Sequence, residues 1–253
     1  MVTALLNGRG LMPRTGSAKG NQVMEKSATS GSAGLPRGVL IEADFVVLSG
    51  MEVFIAAFTA QLGKEGIKAN RDLLLRCLVG KTPARGMAAL LEKVGKPGDA
   101  VALAADCTAA YLAALQETKG KVRDGVQTFT KDVAARGIKV GLITQLPEET
   151  AKTVFADWLG DNVIVISETP YHFCQHGWEG WRRAARKLQI IERLCLAISS
   201  PASARGALSA AMRIVALHDP VQDHFDCGGA DLLVESFTPA VRTSALGLLK
   251  IEE

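Results

Sequence analysis

The chain has 253 residues, 48% of them apolar and 22% charged, and a formal net charge of +3. That is enough apolar material for one substantial core and a small second lobe, while the lysines and arginines are too few and too dispersed for the concentrated basic face of a nucleic-acid binder. Charged residues or glycines interrupt every apolar run well short of the roughly 20 residues a spanning helix needs, which speaks against a membrane-spanning segment and leaves peripheral association open.

Residues 1–37 are rich in Ser, Gly, Ala and Thr, include Arg9, Arg14 and Lys19, and contain no acidic side chain before Glu25. This composition suits an organellar transit peptide and an extended arm equally well, and lacks the continuous apolar stretch of a secretory signal. The run GVLIEADFVVLSG, Gly38 to Gly50, has the pattern of a buried strand, with Glu42 and Asp44 two apart toward its carboxyl end, where open α/β sheets place their ligands. MEVFIAAFTAQLGKEG follows as a helix, with Phe54 and Phe58 four apart on one face. From about Asn70 to Gly120 the pattern stays helical through RDLLLRCLVG, ARGMAALLEKVG and VALAADCTAAYLAALQE, each bounded by glycine or proline. Residues 51–120 are therefore expected to form a helical cap inserted into a larger domain built from residues 38–50 and 121–253.

Beyond Arg123 helix and strand alternate: GVQTFTKDVAARG, IKVGLIT, EETAKTVFADWLG, NVIVIS, WEGWRRAARKL, LCLAI, PASARGALSAA, MRIVAL, ADLLVE and TPAVRTSALGLL. Repeated β-helix units of this length predict an α/β fold, a doubly wound parallel, Rossmann-like sheet with right-handed crossovers. Trp178 and Trp181 beside Arg182 and Arg183 read as one amphipathic helix rather than a base-stacking platform. Cys77, Cys107, Cys174, Cys195 and Cys227 are odd in number and contain no C-x-x-C pair, which argues for a reducing compartment and against a disulfide scaffold or ribbon-type zinc site. Cys195, inside LCLAI, reads as a small buried hydrophobe. HFCQH sets His172, Cys174 and His176 within five residues, yet no fourth metal ligand accompanies them, so no metal is assigned there. His218 and His224 are isolated and suit loop or satisfied polar roles.

The strand bearing Glu42 and Asp44, the strand GIKVGLIT leading to Thr144 and Gln145, and CLAISSPASARGALSAAMRIVAL, whose register is anchored by Ser200-Pro201, Arg205 and Met212-Arg213, resemble in order the first, second and fourth motifs of the haloacid dehalogenase-like hydrolase superfamily. The likeness is strongest to its cap-bearing β-phosphoglucomutase and phosphoglycolate phosphatase branch, and covers nearly everything from Gly38 onward. It implies a nucleophilic carboxylate at position 42, an acid/base at Asp44, a phosphate-holding hydroxyl at Thr144, a lysine from the third motif, and a fourth-motif carboxylate that helps to hold Mg²⁺.

Several of those positions are altered. Glu42 is one methylene longer than aspartate, enough to move its carboxylate by about 1 Å and spoil in-line geometry. Phe45 stands where the family has glycine, and Ile198 and Ser199 stand where it has an acidic pair. No lysine occurs between Lys152 and Lys187; Gln175 lies nearest the third-motif place, with Arg182 and Arg183 as differently shaped replacements. A neutral Ser199 leaves Mg²⁺ short of the anionic oxygens that compensate its dehydration. Taken without the resemblance, Glu42 and Asp44 suit strand-end residues that cap a helix or pair with a base, and Thr144 suits a local backbone bond.

The expectation is thus a catalytically inactive protein with vestigial positions Glu42, Asp44, Thr144, Gln175 and Ser199 and no cofactor or bound metal, Glu42 and Asp44 being only weak Mg²⁺ candidates. It would act through other proteins as an interaction or assembly subunit of a large organellar complex, with plastid favoured over mitochondrion because the resemblance includes chloroplast proteins. The alternatives are a Mg²⁺-dependent phosphatase or phosphomutase acting on a small sugar phosphate or phosphoglycolate-like substrate, and a non-catalytic sensor of phosphorylated metabolites.

Overall fold

Short runs of Val, Leu and Ile flanked by glycine and charge form strands buried on both faces, so each must be covered by helices above and below. The computed structural model describes residues 37–117, 125–168, 172–222 and 225–249. The presequence or arm expected over residues 1–37, Arg37 apart, lies outside the described residues, as does His224.

Strand β1 (Gly38–Glu42) leads by way of α1 (Gly50–Lys64), α2 (Arg71–Leu78), α3 (Pro83–Val94), α4 (Ala100–Glu117) and α5 (Val126–Ala135) to β2 (Lys139–Thr144). Then come α6 (Glu148–Val154), β3 (Val163–Ser167), α7 (Trp178–Leu188), β4 (Cys195–Ser199), α8 (Pro201–Ser209), β5 (Arg213–Leu217), β6 (Leu232–Val234) and α9 (Pro239–Leu248). Among the described residues the strands form one parallel sheet in the order β3-β2-β1-β4-β5-β6. The chain works outward on one side of β1 and then crosses to the other, so β1 and β4 flank the topological switch point, where open α/β sheets place their ligands.

Alternation along the strands divides the apolar contacts in two. Val39, Ile41, Val140, Leu142 and Ile198 join the larger cluster, which also takes in Phe54, Phe58, Leu74, Met87 and Tyr111 from the helices between β1 and β2. Leu40, Ala197 and Ile214 face the opposite way, against Trp181, Ala184 and Ala185 of α7 and Ala204 and Ala207 of α8. Helix ends follow their local chemistry. Asn70 Oδ1 accepts the Leu73 N–H at 2.9 Å, and Pro201 and Pro239 open α8 and α9, where a missing N–H leaves no bond unmade.

The first strand is shorter than the sequence pattern predicts. It ends at Glu42, and Ala43–Val47 form a single wide turn of π-helix closed by the Leu48 N–H on the Ala43 carbonyl at 3.1 Å. All five turn residues are buried. An unbroken apolar run carries no period that separates a strand from a buried helical turn, which is why the pattern overextends the strand. Within α1 the inward face is Met51, Phe54, Phe58 and Leu62.

Helices α1 to α4 pack in sequence, α1 on α4, α4 on α3 and α3 on α2. They are also joined to the sheet domain away from the chain connections. The Gly80 N–H donates to the Phe173 carbonyl and the Phe173 N–H donates to the Lys81 carbonyl, both at 2.9 Å, forming a short ladder between the α2–α3 loop and the segment before α7. The Phe173 ring lies 5.2 Å from Phe58, edge to face, and 5.8 Å from Phe54. Gly80 has φ +73°, and a Cβ there would fall 2.7 Å from Gln175 Oε1, so the ladder requires glycine at this corner.

Candidate functional site

Because β1 and β4 are in register, with Ile41 opposite Ile198, Glu42 and Ser199 come next to each other at the carboxyl edge of the sheet. Thr144 ends the neighbouring β2, and the π-turn carries Asp44 back over the same edge. The sequence-nominated residues therefore converge. Glu42, Asp44, Thr144 and Ser199 are all fully buried.

Both oxygens of Glu42 are bound to the first turn of α8. Oε2 accepts the Ser200 N–H at 2.7 Å and Oε1 accepts the Ser203 hydroxyl at 2.5 Å. The carboxylate occupies the place at a helix N-terminus where an external anion would otherwise bind. Burial dominates its titration, raising the carboxyl from 4.5 to about 7 against the lowering effect of Ser203 and the Ser200 N–H, with Asp44 adding repulsion. Asp44 is held at the end of β2: Oδ1 accepts the Thr144 hydroxyl at 2.5 Å and Oδ2 accepts the Gln145 N–H at 2.6 Å. Burial raises it from 3.8 to about 6. Thr144 is in turn fixed by the Leu146 N–H on its Oγ at 3.1 Å, the local backbone bond foreseen for a threonine after a buried strand.

Gln175 does not stand in for a third-motif cation. Its Nε2 donates to the Ala202 carbonyl in α8 at 2.8 Å, and its Oε1 faces Gly80. Of the two arginines considered as differently shaped replacements, Arg182 binds Glu192 at 3.0 Å and Arg183 binds Glu168, just past the end of β3, at 2.8 Å. Trp181, Ala184 and Ala185 form the inward stripe of α7, while Glu168, which holds Arg183, donates its N–H to the Thr144 carbonyl at 2.9 Å. Phe45, in place of the family glycine, is buried in the apolar cluster beneath the cap.

Three contributors escaped the sequence reading. Tyr111 of α4 is buried close enough to Asp44, Glu42 and Cys174 that, after burial itself, their charges help to push its phenol well above its usual value. Cys174 is buried with φ +53°, its thiol raised by burial and then by the charges of Glu42 and Asp44. Ser203 links Glu42 to the preceding loop, accepting the His176 N–H at 2.9 Å. A lone tyrosine in an alanine-rich helix was the available signal for Tyr111. In the HFCQH segment His176 is buried near Trp181, with ring centroids 6.2 Å apart, and lowered to about 4 by burial and then by Arg183. Among the described residues no three His, Cys, Asp or Glu side chains are grouped to hold a metal ion.

The donor set does not match what Mg²⁺ needs. Both Glu42 oxygens are engaged by α8, and the second carboxylate position is Ser199, whose buried Oγ has no protein partner among the described residues. Tyr111 Oη and Gln145 Nε2 are likewise buried and unpartnered there. The arrangement supplies hydrogen-bond donors to carboxylates of the chain itself, in two sets: Glu42 joins β1 to α8 and, through Ser203, to the segment before α7, and Asp44 joins the π-turn to the end of β2.

No protein-family model and no curated protein matches the chain. Solved structures do match. The β-phosphoglucomutase of Clostridium difficile superposes with a TM-score of 0.64 at 17% identity, over 85% of this chain and 98% of that one. CbbY from Rhodobacter sphaeroides, in complex with phosphate, gives 0.64 at 18% identity over 86% and 100%. A phosphonoacetaldehyde hydrolase-like protein from Oleispira antarctica gives 0.65 at 12% identity over 87% and 96%. At these identities the likeness shows the fold alone: an α/β, Rossmann-like parallel sheet with surrounding helices, shared with the β-phosphoglucomutase and hydrolase-like structures.

Proposed function

We propose that the chain is a catalytically inactive protein of haloacid dehalogenase-like fold that serves as an interaction or assembly subunit of an organellar, plastid complex. The observation that carries inactivity is the capture of Glu42 by Ser200 and Ser203. A nucleophile must present a free oxygen in line with the reacting centre, whereas here both oxygens satisfy a helix end. Ser199 and Gln175, neutral where the family carries charge, support the same reading. Purified protein is expected to show no Mg²⁺-dependent hydrolysis across a panel of phosphate esters. Turnover that Glu42→Ala abolishes would overturn inactivity. The assembly role predicts that the native protein runs within a large complex, and migration at monomer mass refutes it. Fusing residues 1–37 to a fluorescent protein tests the address, with plastid fluorescence expected and mitochondrial fluorescence replacing it.

The second reading is a Mg²⁺-dependent phosphatase or phosphomutase, favoured by the likeness to phosphomutase and hydrolase structures over most of the chain. It requires Glu42 to leave α8, and the same ester panel decides it.

A further inference from the structure

Trp178 and Trp181 are three residues apart on α7, yet Trp181 is wholly buried and Trp178 is 45% exposed. The Arg182 guanidinium lies 5.4 Å over the Trp178 ring and is pinned there by Glu192. An indole stiffened by a stacked, salt-bridged arginine offers apolar contact at little entropic loss, the composition that dominates binding hot spots. It forms one wall of a groove of about 350 Å³ whose other walls include Ile191, Arg193, Ala210 and Ala211. Ile191 is itself 49% exposed. Arg193 is shared with a second hollow of about 250 Å³, which reaches the amino-terminal edge of the sheet and is lined by Arg37 and Arg213. Arg186 and Arg193 have no ion-pair partner among the described residues, and Arg213 is paired with Asp231 at 2.7 Å. The second hollow lies at the sheet edge opposite Glu42 and Ser199, Cys195 and Arg213 being the first residues of β4 and β5.

The geometry points to a docking groove for an acidic segment of a partner protein. An aromatic or branched aliphatic side chain packs on Trp178 and Ile191, and a flanking carboxylate sits on Arg193. Charge complementarity selects this occupant. The chain's own leader, with Arg9, Arg14 and Lys19, has the same sign as the groove. A nucleic-acid backbone presents unbroken negative charge and would meet Glu192 in the wall and Glu179 beside it. A peptide can interleave apolar and acidic positions to match. The inference rests on the proposed function only in that the chain works through its surface; it stands whatever the ester panel returns.

The test is to pan a random dodecapeptide display library against the full chain at physiological salt, then measure the selected peptides by fluorescence anisotropy. Enrichment of Asp and Glu around a single aromatic or branched aliphatic residue is expected. Binding should weaken about tenfold or more in each of Trp178→Ala and Arg193→Glu. Both residues are exposed, and Arg193→Ala serves if the charge reversal fails to fold. No enrichment, enrichment of neutral or basic sequences, indifference to the substitutions, or displacement of the peptide by single-stranded RNA or anionic vesicles would each overturn the groove. Because no ester hydrolysis enters these measurements, their failure leaves the inactive-site reading untouched.

Discussion

At Glu42 burial and hydrogen bonding act in opposite directions, and burial prevails. The folded carboxyl keeps its proton to about pH 7 while the unfolded one releases it near 4.5, so the native state binds more protons between those values and loses stability as pH rises through them. The loss is on the order of 3 kcal/mol. Glu42→Gln removes this titration, so its stability relative to wild type is expected to climb from pH 4.5 to about 7 and level off; chemical denaturation at several pH values that gave a flat difference would refute it. His176 acts with the contrary sign. Its folded value of about 4 against a usual 6.5 means the unfolded state binds more protons, and stability is lost as pH falls through that range. His176→Gln should therefore flatten the acid limb of the stability curve, read by thermal melts between pH 4 and 7. Ser199→Asp would bury a further carboxylate beside Glu42 at a cost of about 3 kcal/mol or more, visible as a lowered denaturation midpoint. At this scale the carboxylates and Thr144 were legible, because strand-end position follows from a short apolar run. Ser203, Cys174 and Tyr111 were not, since nothing local announces which distant hydroxyl or thiol a folded chain brings to a strand end.

Element packing tolerates least change where backbones approach. Helix α8 passes so near the segment before α7 that a Cβ on Gly206 would lie 2.3 Å from the His176 carbonyl. Gly206→Ala is expected to cost about 2 kcal/mol or more, even though alanine is the better helix former, and differential scanning calorimetry would show the midpoint fall by several degrees. The regular elements could be read from apolar period, glycine and proline because those signals are local. The π-turn at Ala43–Val47 could not. Its residues match a buried strand in composition, and the contact that accompanies the bend is tertiary: the Asp44 carboxylate accepts from Thr144 at the end of β2 and from Gln145 just beyond it, about a hundred positions away.

Across the whole molecule the cap and sheet share one apolar cluster, in which Phe54, Phe58 and Tyr111 join Val39, Ile41 and Ile198. Continuous burial of this kind couples the two parts, and their unfolding should coincide within a single transition. Phe173→Ala removes the ring between α1 and the segment before α7, with an expected loss of about 3–5 kcal/mol. Hydrogen exchange at Gly80 and Phe173 should accelerate together in that variant, and unequal protection would show that the cap loosens independently. The sheet class was readable from the order of elements alone, whereas the Gly80–Phe173 ladder was not, because it joins residues far apart in sequence through backbone groups every sequence possesses. That ladder has a mechanical meaning. A lid turning on its two chain connections can swing freely, but a third fastening placed across its path converts rotation into rupture, so pulling α3 and β6 apart in a single-molecule stretching experiment should give one force peak and no earlier yielding of the lid.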